Sequence, residues 1–231
     1  MLGAILLTFL IGAAAVGLLL GAVLGVQKWY EGRLSEQHDM ELAAQLSVAE
    51  ELARRDAAAA YQVLTDLEQR ARTKEFVQLV RRSRAVAAEL EGKRLLRVGA
   101  VQAAAEWFAQ AVADDPTNPA YRTDLGRLYE TVAQGLRSRS EQREVLITAA
   151  EHWQVASDLS RRLGQTQVAQ SYANHAAELM LAVGVSFEAD GMVQEGARAY
   201  QFAYSAASYG SAVREQARRA LDRVLSTGLS R

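Results

Sequence analysis

From Leu2 to Val26 the chain is an unbroken apolar run in which Thr8 alone carries a polar side-chain group, and nothing after Val26 repeats it. A helix over this run reaches roughly 37 Å, more than a hydrocarbon core of about 30 Å. The pattern predicts one N-terminal transmembrane helix over 1–28. It is expected to be retained rather than cleaved, because no Lys or Arg precedes it as in a signal peptide. Beyond Val26 apolar and polar positions interleave at helical spacing, Ala, Leu, Glu, Gln and Arg dominate, and strand-like alternation is scarce. The rest of the chain therefore reads as helix throughout.

The run has internal texture. Ala13, Gly17, Gly21 and Gly25 recur every fourth residue and form a ridge of small side chains. Such a ridge suits close packing on a second copy or another membrane protein, although Gly is also simply common in membrane helices. Lys28, Trp29, Tyr30 and Arg33 follow as an interfacial anchor, with the amphipathic rings at headgroup level beside cations. Positive charge on that flank predicts a cytoplasmic body attached once to a bacterial inner (plasma) membrane, so the expected partners include the lipid bilayer.

Repeats make the helical reading more definite. Gly92, Leu95, Ala104, Phe108, Ala111 and Pro116 stand at the intervals of a tetratricopeptide repeat (TPR). In that motif a small and a large residue on a first helix precede Ala, aromatic, Ala and a closing Pro on a second. Asn118-Pro119 is a cap followed by a first-turn proline, and Leu125, Gly126 and Tyr129 continue at the same spacing. The second helix of this unit, marked by Ala149, Trp153 and Ala156, comes about eleven residues late, and Ser138 with Glu141 forms a capping box for it. A further unit reads Val183, Gly184, Phe187, then Gly196, Tyr200 and Ala203, with Asp190-Gly191 as its turn. A fainter one places Arg54-Arg55-Asp56 between two helices, with Ala60, Leu64 and Leu67 on the second. Ala60, Ala104, Ala149 and Gly196 are 44, 45 and 47 residues apart rather than the family's 34, so extended helices must intervene.

The chain thus resembles the TPR superfamily over 85–208. The expected organisation is the anchor at 1–28, a membrane-proximal segment with a degenerate hairpin at 29–84, and a TPR-like α-solenoid at 85–231. Arg214 to Leu225 would close the array, with Ala217, Leu221 and Val224 on one stripe and Arg218, Arg219 and Arg223 on the other.

Charge and candidate chemistry change the picture little. The net charge of −1 argues against a nucleic-acid partner, and zero cysteines leave no thiol nucleophile or ligand. His38, His152 and His175 stand apart in sequence and form no metal-binding or catalytic motif, and no phosphate loop or nucleophile elbow occurs. No cofactor is expected, and no enzymatic role. The neighbours Glu50-Glu51 and Asp114-Asp115 read as solvated. Residues 31–68 hold nine acids against three bases, and 70–97 hold nine bases against three acids. Arg70, Arg72, Lys74, Arg81, Arg82 and Arg84 therefore either face an anionic lipid surface or acidic partner, or pair with the acidic block.

In the TPR family the concave side lined by first helices is the working surface. The resemblance places Glu89, Lys93, Thr123, Arg127, Glu130, Glu178 and Glu188 on it. Their mixed signs do not match the Lys and Asn set that clamps a C-terminal carboxylate, so a folded partner or a peptide of mixed charge is expected. The resemblance implies a membrane-anchored scaffold or adaptor that binds other proteins, as an accessory subunit of a membrane complex. The alternative is an envelope-biogenesis regulator or chaperone-like factor, similar in layout to the lipopolysaccharide assembly protein B family but lacking its cysteine-rich metal knuckle.

Overall fold

The computed structural model describes residues 2–228, and for residues 2–26, Trp29, Thr227 and Gly228 it describes the backbone alone. Among the described residues there are nine helices and no strand: α1 (Leu2–Ala53), α2 (Ala57–Arg70), α3 (Lys74–Arg97), α4 (Val101–Asp114), α5 (Pro119–Gly135), α6 (Arg139–Arg162), α7 (Thr166–Ala189), α8 (Val193–Ala206) and α9 (Ala212–Gly228). Each packs mainly on the helix before and the helix after it, the contact pattern of an α-solenoid.

Local chemistry sets the boundaries. The side chains of Asp56, Thr73, Asn118 and Ser138 accept from backbone N–H groups in the first turns of α2, α3, α5 and α6, and Pro119 fills the opening turn of α5 where an N–H would be orphaned. Three helices end at a glycine in the left-handed region, Gly99, Gly164 and Gly191. At Gly164, for example, its N–H donates to the Arg161 carbonyl and the Gln165 N–H to the Ser160 carbonyl, closing the helix and turning the chain at once.

Three junctions hold the hairpins together, and each is a glycine against an aromatic ring. A Cβ on Gly92 would lie 2.8 Å from Phe108, one on Gly126 2.7 Å from the Trp153 indole nitrogen, and one on Gly184 2.5 Å from Tyr200. Only a bare backbone admits rings at that distance, so the small-plus-aromatic intervals in the sequence are the packing itself. Around these contacts the alanines Ala104, Ala111, Ala149, Ala156 and Ala203 are fully buried.

The long repeat has a simple origin. The first helices α3, α5, α7 and α9 begin at 74, 119, 166 and 212, and α3, α6 and α7 each run to 24 residues. A 24-residue helix is long enough to pack on both neighbours, as α3 does on α2 with its first half and on α4 with its second.

The inner-membrane location expected from the sequence is overturned: among the described residues no helix is long and apolar enough to cross a membrane. In α1 the charged residues Lys28, Glu31, Arg33, Glu36, Asp39 and Glu41 follow one another every two or three positions, so no apolar stretch of spanning length begins after Val26. The side chains of Leu2–Val26, with the ridge of Ala13, Gly17, Gly21 and Gly25, lie outside the described residues, as does that of Trp29. Lys28, Tyr30 and Arg33 are exposed.

The two charge blocks meet at Glu68, which takes both Arg81 and Arg84. Arg81 donates to Glu68 at 2.6 Å, Arg70 to Gln45 at 2.9 Å, and Arg84 binds Glu68 while forking onto both oxygens of Asp114, its Nε 2.9 Å from Oδ2. Asp114 is thereby buried rather than solvated, a correction to the sequence reading. Its position at the end of α4 points it inward at Arg84 and Tyr61, where the fork supplies the hydrogen bonds a buried carboxylate requires. Asp39 is likewise buried, accepting from the N–H groups of Arg72 and Thr73 at 3.0 and 2.8 Å and so fastening α1 to the start of α3.

Candidate functional site

The sequence-derived surface residues separate into three places. Glu89 and Lys93 on α3 form an ion pair one turn apart, and Lys93 Nζ also lies 3.3 Å from Asp124 on α5. Burial, set against the Lys93 charge and reinforced by Glu89, pushes the Asp124 carboxyl above its ordinary value. Thr123 is buried, its hydroxyl donating to the Ala120 carbonyl. Glu188 accepts from Tyr200 Oη at 2.5 Å and from Arg223 at 2.6 Å, tying α7 to α8 and α9.

The structure brings Arg127, Glu130 and Glu178 together around one indole. Trp153 on α6 sits with its Nε1 against Gly126 and donates to Glu130 Oε1 at 2.6 Å. His175 on α7 places Nε2 3.0 Å from the same oxygen, and its Nδ1 is 3.5 Å from Glu178. The His175 ring meets the indole edge-on at 4.6 Å between centroids, and Tyr172 tilts against it at 5.4 Å. Arg127 holds its guanidinium 5.7 Å from the indole centroid. Arg127, Glu130, Trp153, Ser171, Tyr172 and His175 line a hollow of about 380 Å³, and Glu178 stands beyond His175. Next to it, sharing Glu130, is a second hollow of about 260 Å³ with Ala133, Leu146 and Leu179 in its wall.

The site's electrostatics follow from that geometry. The hydrogen bond to Glu130 lifts the His175 imidazole above its ordinary value against the opposing effect of burial, with the charges of Glu130 and Glu178 adding to it. Burial pushes Glu130 up, but the bonds from His175 and Trp153 outweigh it and leave the carboxyl below its ordinary value. His152, on the same helix as Trp153, behaves in the opposite sense. It stacks on Tyr129 at 5.5 Å, and burial, helped by the Arg122 charge, lowers it to about 4.

Sequence reasoning set His175 aside as an isolated histidine and treated Trp153 as a packing residue. Glu178 is one turn along the same helix, but Glu130 lies 45 residues away on α5 and Trp153 on α6, so no local motif reveals the set. A signal was present all the same: Tyr172, His175 and Leu179 fall on one stripe of α7, and all three line the hollows. Among the described residues no group of three or more histidines and carboxylates is placed to hold a metal ion.

No model of a known protein family matches the chain, and no curated protein does. Solved structures similar to it include MamA, at 17% identity over 60% of this chain and 95% of that one, with a TM-score of 0.24. A computationally designed self-assembling cyclic homooligomer aligns at 15% identity over 84% of this chain and 94% of its own, with a TM-score of 0.38. The Cut9–Hcn1 hetero-tetramer of the APC/C aligns at 10% identity over 83% of this chain and 45% of that one, with a TM-score of 0.21. The helix order and the three glycine–aromatic junctions of this chain make the described residues an α-solenoid of helical hairpins.

Proposed function

We propose that this protein is a scaffold that binds other proteins, an accessory subunit of a protein complex, with the surface of α3, α5 and α7 as its docking face. The observation that carries this reading is the aromatic hollow around Trp153. It is open to solvent, lies between successive first helices, and presents Arg127 stacked on the indole with no ion-pair partner among the described residues. A guanidinium held by a ring keeps its hydrogen-bond donors available while losing little entropy on binding, and Arg, Trp and Tyr are the residue types that dominate interface energetics. Glu89, Lys93, Arg127, Glu130 and Glu178 are the polar contacts offered on this face. Thr123 is buried, and Glu188 is taken up by Tyr200 and Arg223 of the same chain.

Arg127→Glu tests the reading. Proteins cross-linked to the wild-type chain in its native host are expected to be lost together in this variant, while its circular dichroism melt stays within a few degrees of wild type. Equal recovery of the same proteins by both chains would rule this face out.

A further inference from the structure

A second surface lies at the other end of the array, between α1 and α3. These helices run side by side in the same direction, fastened by Asp39 to Thr73 and by Ser83 to Glu50, the latter at 2.6 Å. Between them lie two hollows in line. The first, about 380 Å³, is walled by Met40, Ala43, Phe76 and Leu79; the second, about 460 Å³, by Ala53, Val86 and Leu90. The apolar side chains here are unusually open: Met40 is 69% exposed, Leu79 46% and Val86 44%. From Glu36 to Arg54 the groove is about 27 Å long, the length of an 18-residue helix.

The groove is electrically polar from end to end. Three acids, Glu36, Asp39 and Glu75, stand at the first hollow, while at the second Arg82 and Arg54 outweigh Glu50. Asp39 is taken up by Thr73, Glu50 by Ser83 and Arg54 by Glu51, which leaves Glu36, Glu75 and Arg82 without an ion-pair partner among the described residues. A helix carries its own polarity, favouring acids in its first turn and bases in its last. We propose that this groove receives an amphipathic helix of another protein, lying antiparallel to α1 and α3, with acidic residues of its first turn at Arg82 and basic residues of its last turn at Glu36 and Glu75. Two large apolar side chains on one face of that helix, three turns apart, fill the hollows. The mode is helix-in-groove recognition, in which apolar anchors set the affinity and the flanking charges set the direction.

The test uses the full-length chain and a labelled 18-residue helical peptide. It carries leucines at positions 4 and 15, glutamates in the first turn and lysines in the last, and binding is read by fluorescence anisotropy. Binding at least about tenfold tighter than to a scrambled peptide is expected, with Leu79→Asp and Val86→Asp each weakening it by about tenfold. Arg82→Glu should weaken it severalfold, and a peptide with lysines in its first turn should restore affinity to that variant, a rescue that a misfolded protein would not give. The proposal is overturned if the peptide binds no better than its scrambled form, if both aspartate variants bind within twofold of wild type, or if Arg82→Glu is not rescued. These outcomes leave the Trp153 face untouched, since Arg127 and its hollow lie on α5 to α7.

Discussion

His175 and His152 show how position decides what one residue type does. His175 has a carboxylate on either side and is lifted above its ordinary value of 6.5; His152, half-buried against Tyr129, is lowered to about 4. Linkage gives the two opposite signs. The contribution of His175 is complete below pH 6.5 and is lost as pH rises through its folded-state value. That of His152 is complete above 6.5 and is lost as pH falls from there toward about 4, because the unfolded chain takes up the proton first. Urea unfolding between pH 4 and 8 should therefore show His152→Phe flattening the acid side of the stability profile. His175→Gln should reduce the loss of stability between pH 6.5 and 8. Profiles that superimpose on wild type would contradict the assignment of these two environments.

Elements are joined where a glycine meets a ring, and the cost of disturbing one junction can be stated. Gly126→Ala sets a methyl group where the Trp153 indole nitrogen now lies 2.7 Å away, and both α5 and α6 are pinned by neighbours on their other sides. Overpacking of this kind costs about 1–3 kcal/mol. Gly135→Ala on the same helix meets nothing within 4 Å and removes a flexible residue, so it should be neutral or slightly stabilising. Thermal melts of the two variants decide it; similar melting temperatures for both would mean that the α5–α6 contact yields without strain. Arg84 belongs at this scale as well. By binding Glu68 and Asp114 together it fixes α2, α3 and α4 relative to one another, and a fork of that geometry specifies orientation more than it adds stability.

The molecule as a whole is a line of helices, so damage at one end is expected to stay there. Among the described residues α9 is the last helix, and its Ala220 and Val224 cover the Tyr200 ring, which is fully buried at the junction with Gly184. A chain truncated before Ala212 uncovers that ring and removes Arg223 from Glu188, costing about 3 kcal/mol or more of local stability. Hydrogen exchange should then speed up in α7 and α8 and remain unchanged in α1 to α3, because nearest-neighbour contacts carry the stability of such arrays. Acceleration spread evenly over all helices would show a single cooperative body instead.

What the residues of this chain determine alone is local. Caps at Asn118 and Ser138, the Gly191 turn, and the small and aromatic intervals around Gly92, Gly126 and Gly184 act through neighbours a few bonds or one hairpin away, so these helix boundaries and junction residues are legible without coordinates, whereas the helix pairing between 130 and 180 is not. Hydropathy of Leu2–Val26 suggested a membrane location, which the described residues do not support. Tertiary structure decided everything that depends on which faces meet. It buried Asp114 and Asp39, turned Thr123 and Glu188 to internal use, and joined His175 to Glu130 across 45 residues of chain. Sequence spacing fixes the angle at which a side chain leaves its own helix; the stagger between 24-residue helices fixes what it meets, and that stagger emerges only when the helices pack.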